Sequence, residues 1–78
     1  RAELSEKIHL AIDSLPEKCK AIFVDACIEE CSYVEVAQKY DLSVNTVKVQ
    51  VSKAYRILRE KLTKEQFSIF LLIFLKSE

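Results

Sequence analysis

Glycine, methionine and tryptophan are absent from this 78-residue chain, which holds one proline and one histidine. Without glycine it lacks the residue that most readily supplies the positive-φ turns of β-hairpins and the backbone of phosphate-cradling loops. That argues against an all-β fold and against a nucleotide-binding loop. One histidine, no such loop and no matched pair of acids leave nothing for a nucleophile or a general base to work with, so the chain does not read as an enzyme and no cofactor is expected. Net charge is lacking too: twelve Lys plus Arg balance twelve Asp plus Glu, unlike a non-specific basic binder. No stretch reaches the roughly 18 apolar residues of a membrane-spanning helix. The three cysteines are odd in number and follow no charged-then-apolar leader, which points to a reducing, cytoplasmic setting rather than to a disulfide framework. The start at Arg1 and the lack of methionine read as a piece of a longer protein.

What is present suits helices. Half of the residues are apolar and 31% are charged, and a chain this short buries only about 60% of its unfolded surface, so a compact helical core is the natural solution. The expectation is an all-α protein: a four-helix unit with a helix-turn-helix over residues 1–63, then an apolar tail over residues 64–78 that forms a short fifth helix.

Leu4, Ile8, Ala11 and Leu15 lay an apolar stripe along a first helix that should end near Ser14. Ser14, Leu15, Pro16 and Glu17 have the form of a capping box opening a second helix that runs to about Glu30, with Pro16 in the first turn, where a missing N–H has no partner anyway. Cys19, Ile22, Phe23, Ala26 and Glu30 share one side of it, and Cys31 stands where many helices place glycine. Ser32 and Glu35 form a second capping box, starting a short third helix with Tyr33, Val36, Ala37 and Tyr40 at i, i+3, i+4 and i+7. Asp41, Leu42 and Ser43 must then turn the chain without glycine. Aspartate tolerates left-handed backbone angles, and Leu42 is expected to plug the core at the corner. Ser43 caps a fourth helix, in which Val44, Val47, Val51, Ala54, Leu58 and Leu62 keep a helical period over nineteen residues, about 28 Å.

Two helices joined by a three-residue turn, the second with cations on one face, form the pattern of a DNA-reading helix-turn-helix. Residues 1–31 carry four cations and seven anions, whereas residues 32–63 carry six and three, so positive charge is focused on this half. At about 100° per residue the apolar stripe of the fourth helix centres between Val47 and Val51, and Asn45, Lys48, Val49, Ser52, Lys53, Arg56 and Arg59 lie on the other side. Recognition helices touch base edges with their first two turns. Asn45, Lys48, Val49, Ser52 and Lys53 are therefore the candidate base readers, and Arg56 and Arg59 the candidate phosphate contacts. Lysine can donate to guanine O6 and N7, asparagine can pair with adenine, and a valine methyl can meet a thymine methyl. Val49 is an apolar residue in a polar face, which packing within the monomer does not explain. Ser43 and Thr46 could offer hydroxyl or N–H donors to a phosphate at the helix start. A charged stripe is most often only a solvated helix face; the short preceding helix and the Asp-Leu-Ser turn tip the reading toward DNA.

The segments AIDSLPEKCKAIFV (residues 11–24) and CSYVEVAQKYDLSVNTVKVQVSKAYRILREKL (residues 31–62) together resemble region four of bacterial sigma factors, specifically the extracytoplasmic-function (ECF) branch and its Bacteroides-type members. The first resembles that family's segment around a Leu-Pro pair, the second its reading unit. The resemblance implies a role in transcription initiation: docking on core RNA polymerase near the flap of its β subunit and reading the promoter −35 element, with an anti-sigma protein as a further partner. Asn45, Lys48, Val49, Ser52 and Lys53 fall on the family's base- and backbone-contacting positions. Asn45 stands where many members have Gly and Gln50 where many have a basic residue, so the preferred promoter sequence does not carry over. The alternatives are a LuxR-type response-regulator output domain, which has a similar Thr-Val-Lys recognition helix but a different opening to its second helix, and a protein-interaction module that binds no DNA.

Residues 67–75, FSIFLLIFL, are nearly all apolar and must be covered by something. As a helix they reach about 14 Å, less than half of a hydrocarbon core of roughly 30 Å. The expected cover is the first two helices or a second copy, making a homodimer, ahead of a polymerase or anti-sigma partner and a membrane surface. A sharper reading has the tail masking the polymerase-binding surface. The unbroken run gives no period to separate helix from strand. Cys19, Cys27, Cys31 and His9 could supply four zinc ligands, but no close CxxC knuckle is present and buried thiols are ordinary in helical cores, so no metal site is expected.

Overall fold

The computed structural model describes the backbone of residues 2–74 and the side chains of residues 6–72. Its helices are α1 (Ala2–Asp13), α2 (Glu17–Phe23), a π-helical turn (Val24–Ile28) that continues α2, α3 (Tyr33–Tyr40), α4 (Val44–Lys61) and α5 (Lys64–Phe74), with no strand among the described residues. The side chain of Leu4 and those of residues 73–75 lie outside the described residues.

On α1 the buried side is formed by Ile8, Ala11 and Ile12, followed by Leu15; Ile12, one residue beyond the expected stripe, joins it. The capping box expected at Ser14 does not form. The Ser14 hydroxyl instead donates to the Ala11 carbonyl at 2.6 Å and closes the end of α1. Pro16, at φ −55°, is the N-cap of α2 with no side-chain cap bond, and its carbonyl accepts from Lys20 N at 2.7 Å.

The second helix is not α-helical to Glu30. At Val24 it widens: Glu29 N donates back to Val24 O at 2.8 Å, and Cys31 N to Asp25 O at 2.9 Å. A π-turn accommodates an extra residue, and here it brings Cys27 into the core while Ala26 stays half-buried and Glu30 is exposed. The left-handed residue that ends the turn is Glu30, at φ 61°, rather than Cys31. Ser32 and Glu35 then form the reciprocal cap read from sequence, with bonds of 2.9 and 3.0 Å.

One core runs through the structure. Cys19, Ile22 and Phe23 of α2 and Val36 and Ala37 of α3 pack around Val47, Val51, Ala54 and Leu58 of α4, and α1 and α5 add to the same core. Val44, expected on this stripe, is exposed: it is the first residue of α4, at the open end of the helix. The apolar tail is helical from Lys64 to Phe74. Its Phe70 is fully buried, with its ring stacked on Phe23 at 6.0 Å, and Phe23 meets Tyr55 edge-on at 5.6 Å. Aromatic pairs of this geometry add to plain area burial. Leu72, on the outer side of α5, is 80% exposed. No helix among the described residues is long and apolar enough to cross a membrane.

Candidate nucleic-acid interface

The corner between α3 and α4 is made without glycine. Asp41 takes the left-handed conformation (φ 57°, ψ 51°), one of the few non-glycine residues that does so at small cost. Leu42 N then donates to Ala37 O at 2.8 Å, and the Leu42 side chain packs on the core. Ser43 caps α4: its Oγ accepts from Thr46 N at 3.0 Å and donates to Thr46 Oγ1 at 2.9 Å. The Thr46 backbone N–H is thereby committed, and what Thr46 retains for a ligand is its hydroxyl proton.

The π-turn is bonded to the α3 side of this corner. Asp25 Oδ2 accepts from the Tyr40 hydroxyl at 2.6 Å and from Lys39 Nζ at 3.0 Å, so one carboxylate holds the last turn of α3. The Tyr40 hydroxyl, then Lys39, keep the Asp25 carboxyl below its ordinary value against an opposing push from burial. Two thiols tie α2 and the π-turn to α4. Cys19 donates to the Gln50 carbonyl at 3.4 Å, and Cys27 lies 3.3 Å from the Tyr55 hydroxyl. Burial raises the pKa of both thiols and of the Tyr55 phenol, so all three stay protonated near neutral pH. Among the described residues no group of three or more His, Cys, Asp or Glu side chains, Cys19, Cys27, Cys31 and His9 included, is placed to hold a metal ion.

Asn45, Lys48, Val49, Ser52, Arg56 and Arg59 are exposed on the outer side of α4, with Thr46 and Lys53 half-buried. Lys48, Val49, Ser52, Lys53 and Arg56 line one shallow, open depression of about 320 Å³. Val49 is 57% exposed within it. Among the described residues the ion pairs are Lys20 with Asp13 and Lys39 with Asp25, so none of the outer-face cations has a carboxylate partner. An open basic face with one methyl-bearing residue at its centre can take phosphate at its edge and base edges in its middle. Arg59 stands apart from the depression, its Cζ over the Phe67 ring at 5.9 Å from the centroid.

Sequence reasoning placed Tyr40 on the apolar stripe of α3 and Phe67 in the apolar run, but missed the bond from Tyr40 to Asp25 and the contact of Phe67 with Arg59. Asp25 and Tyr40 are far apart in the chain and meet only after the π-turn, and Phe67 lay in a run with no period to say which way it faced.

Over residues 5–58 the chain matches the family model described as Sigma-70, region 4. A curated relative, the RNA polymerase sigma factor SigV of Bacillus subtilis (strain 168), is 34% identical over 61 residues, which make up 78% of this chain and 37% of that protein. The chain therefore spans little more than a third of that relative's length. No solved structure matches significantly.

Proposed function

The chain belongs to the sigma-70 region 4 family, the part of a sigma factor that binds the promoter −35 element, and on that premise we propose that α4 enters the major groove by its first three turns. Asn45, Lys48, Val49, Ser52 and Lys53 read base edges, while Thr46, Arg56 and Arg59 hold phosphate. The observation that supports this reading best is the open depression formed by Lys48, Val49, Ser52, Lys53 and Arg56, whose cations have no carboxylate partner among the described residues. Core RNA polymerase is the second partner, with its β flap as the docking site, and the protein acts in the cytoplasm as a transcription initiation factor of the ECF branch. Residues 1–63 carry the helix-turn-helix, and residues 64–78 follow it as an apolar segment whose helix α5 packs on the same core through Phe70.

The test is selection of promoter sequences by the full-length factor assembled with core polymerase, followed by binding titrations in salt. Arg56→Ala weakens binding alike on all sequences and lowers the salt slope by about one; Lys53→Ala also changes the preferred bases by about 1–3 kcal/mol at one position. A factor carrying Lys48→Ala and Lys53→Ala that, with core polymerase, selects the same promoters with the same affinity would sink the reading.

A further inference from the structure

Arg59 is the last cation on the outer face of α4, and both it and its partner fall beyond residues 5–58, where the family match ends. Asn45, Ser52 and Arg59 are seven residues apart, two helical turns each, so they line up along one edge of the helix. The Arg59 Cζ sits over the Phe67 ring at 5.9 Å. Phe67 is backed by Phe70, centroids 6.0 Å apart, and Phe70 is stacked on Phe23 at the centre of the core. A file of three rings thus reaches from the fully buried Phe23 to the guanidinium. The first turn of α5 is fixed as well: Thr63 and Gln66 exchange reciprocal cap bonds of 3.0 Å directly after Leu62.

An aromatic face attracts a guanidinium through its π-system and takes none of the five N–H donors. The contact therefore biases Arg59 toward one placement without using the donors a phosphate would take, which reduces the side-chain entropy lost on binding. We propose that Phe67 is a positioning residue for DNA binding: α5 holds Arg59 in line with Asn45 and Ser52, so that the guanidinium meets a backbone phosphate at the far end of the contacted element. The apolar segment after α4 then works as part of the DNA-binding unit and not as a mask over another surface. This inference rests on the reading of α4 as the DNA-contacting helix.

The experiment measures promoter-duplex affinity against salt for the full-length factor with core polymerase. Arg59→Ala lowers the salt slope by about 0.9, the loss of one phosphate contact. Phe67→Leu keeps apolar bulk under α5 but removes the π face; it weakens binding about two- to fivefold, with its thermal midpoint close to that of the parent. Phe67→Tyr restores full affinity. In an Arg59→Ala background Phe67→Leu has no further effect. Undiminished binding by Phe67→Leu, tighter binding, or an equal loss in the Arg59→Ala background each overturns the inference. Arg56→Ala and Lys53→Ala separate the two failures. If they too leave binding unchanged, the reading of α4 fails; if they weaken it while Phe67→Leu and Arg59→Ala do not, only the role of Phe67 fails.

Discussion

Tyr40 donates its hydroxyl proton to Asp25 Oδ2 at 2.6 Å, joining the end of α3 to the π-turn of the preceding helix. The Asp25 side chain is 14% exposed, whereas Lys39, the second donor to the same oxygen, is 61% exposed. The phenol therefore carries most of the interaction, and the lysine arm is screened by solvent. Asp25→Ala is expected to cost about 1–2 kcal/mol in denaturant unfolding at neutral pH.

The same contact gives a pH dependence with a defined sign. The folded Asp25 carboxyl titrates below its ordinary value of 3.8, because Tyr40 and then Lys39 favour the ionised form. Its stabilisation is complete above the unfolded value and is lost as pH falls from there through the lower folded value. The stability difference between the parent and Asp25→Asn should accordingly be constant from pH 7 to about 5 and shrink below pH 4. A difference that grows on acidification would remove Asp25 from this role.

Two residues on one helix separate packing from mere apolarity. Phe70 is fully buried on Phe23, whereas Leu72, two positions on, is 80% exposed. Phe70→Ala should cost about 3–5 kcal/mol, a large part of what a domain of this size has. Leu72→Ala should stay within about 0.5 kcal/mol. Urea midpoints of the two variants check this directly, and equal values would mean that α5 does not pack as described.

Glu30 holds a left-handed backbone conformation, φ 61°, with a long side chain exposed to solvent. Such a residue carries roughly 1 kcal/mol of strain that glycine would not. Glu30→Gly is thus expected to raise the thermal midpoint by a few degrees, and Glu30→Val to lower it. The same change at Cys31 should destabilise, since Cys31 is not the left-handed residue.

That position also marks the limit of what the sequence discloses. Local patterns were legible: the cap pair Ser32 and Glu35, the corner at Asp41, the Ser43 cap and the core stripe Val47, Val51, Ala54 and Leu58 depend on neighbours within a few residues and were read correctly. The π-turn was not, because its extra residue leaves the apolar count of the helix unchanged while moving the inward position from Ala26 to Cys27. Ser14 misled because the same hydroxyl can close one helix or open the next, and here the Ala11 carbonyl captured it. The exposed side of α4 was legible from the helical period at Asn45, Lys48, Val49, Ser52, Arg56 and Arg59, whereas Lys53, counted with them, is half-buried. The clasp on Arg59 by Phe67 was not legible, since it joins two elements whose relative direction is set only by the turn at Leu62 and Thr63.

Ser43 offers a way to separate the folding of α4 from its encounter with phosphate. Its Oγ accepts from Thr46 N at 3.0 Å, so Ser43→Ala should cost about 1 kcal/mol, whereas aspartate and asparagine are equally good caps and should leave stability within about 0.5 kcal/mol of the parent. Aspartate even gains from the helix dipole. Both substitutions keep the turn that presents Asn45, Thr46 and Lys48, but only aspartate adds a negative charge at the mouth of the helix. If this end approaches the DNA backbone, Ser43→Asp should bind promoter DNA at least about fivefold more weakly than Ser43→Asn at low salt, since like charges about 4 Å apart repel by about 1 kcal/mol even in water. The gap should narrow as salt is raised, because the repulsion is screened. Equal promoter affinities for the two stable variants at low ionic strength would place the start of α4 away from phosphate and require a different docking angle for the helix.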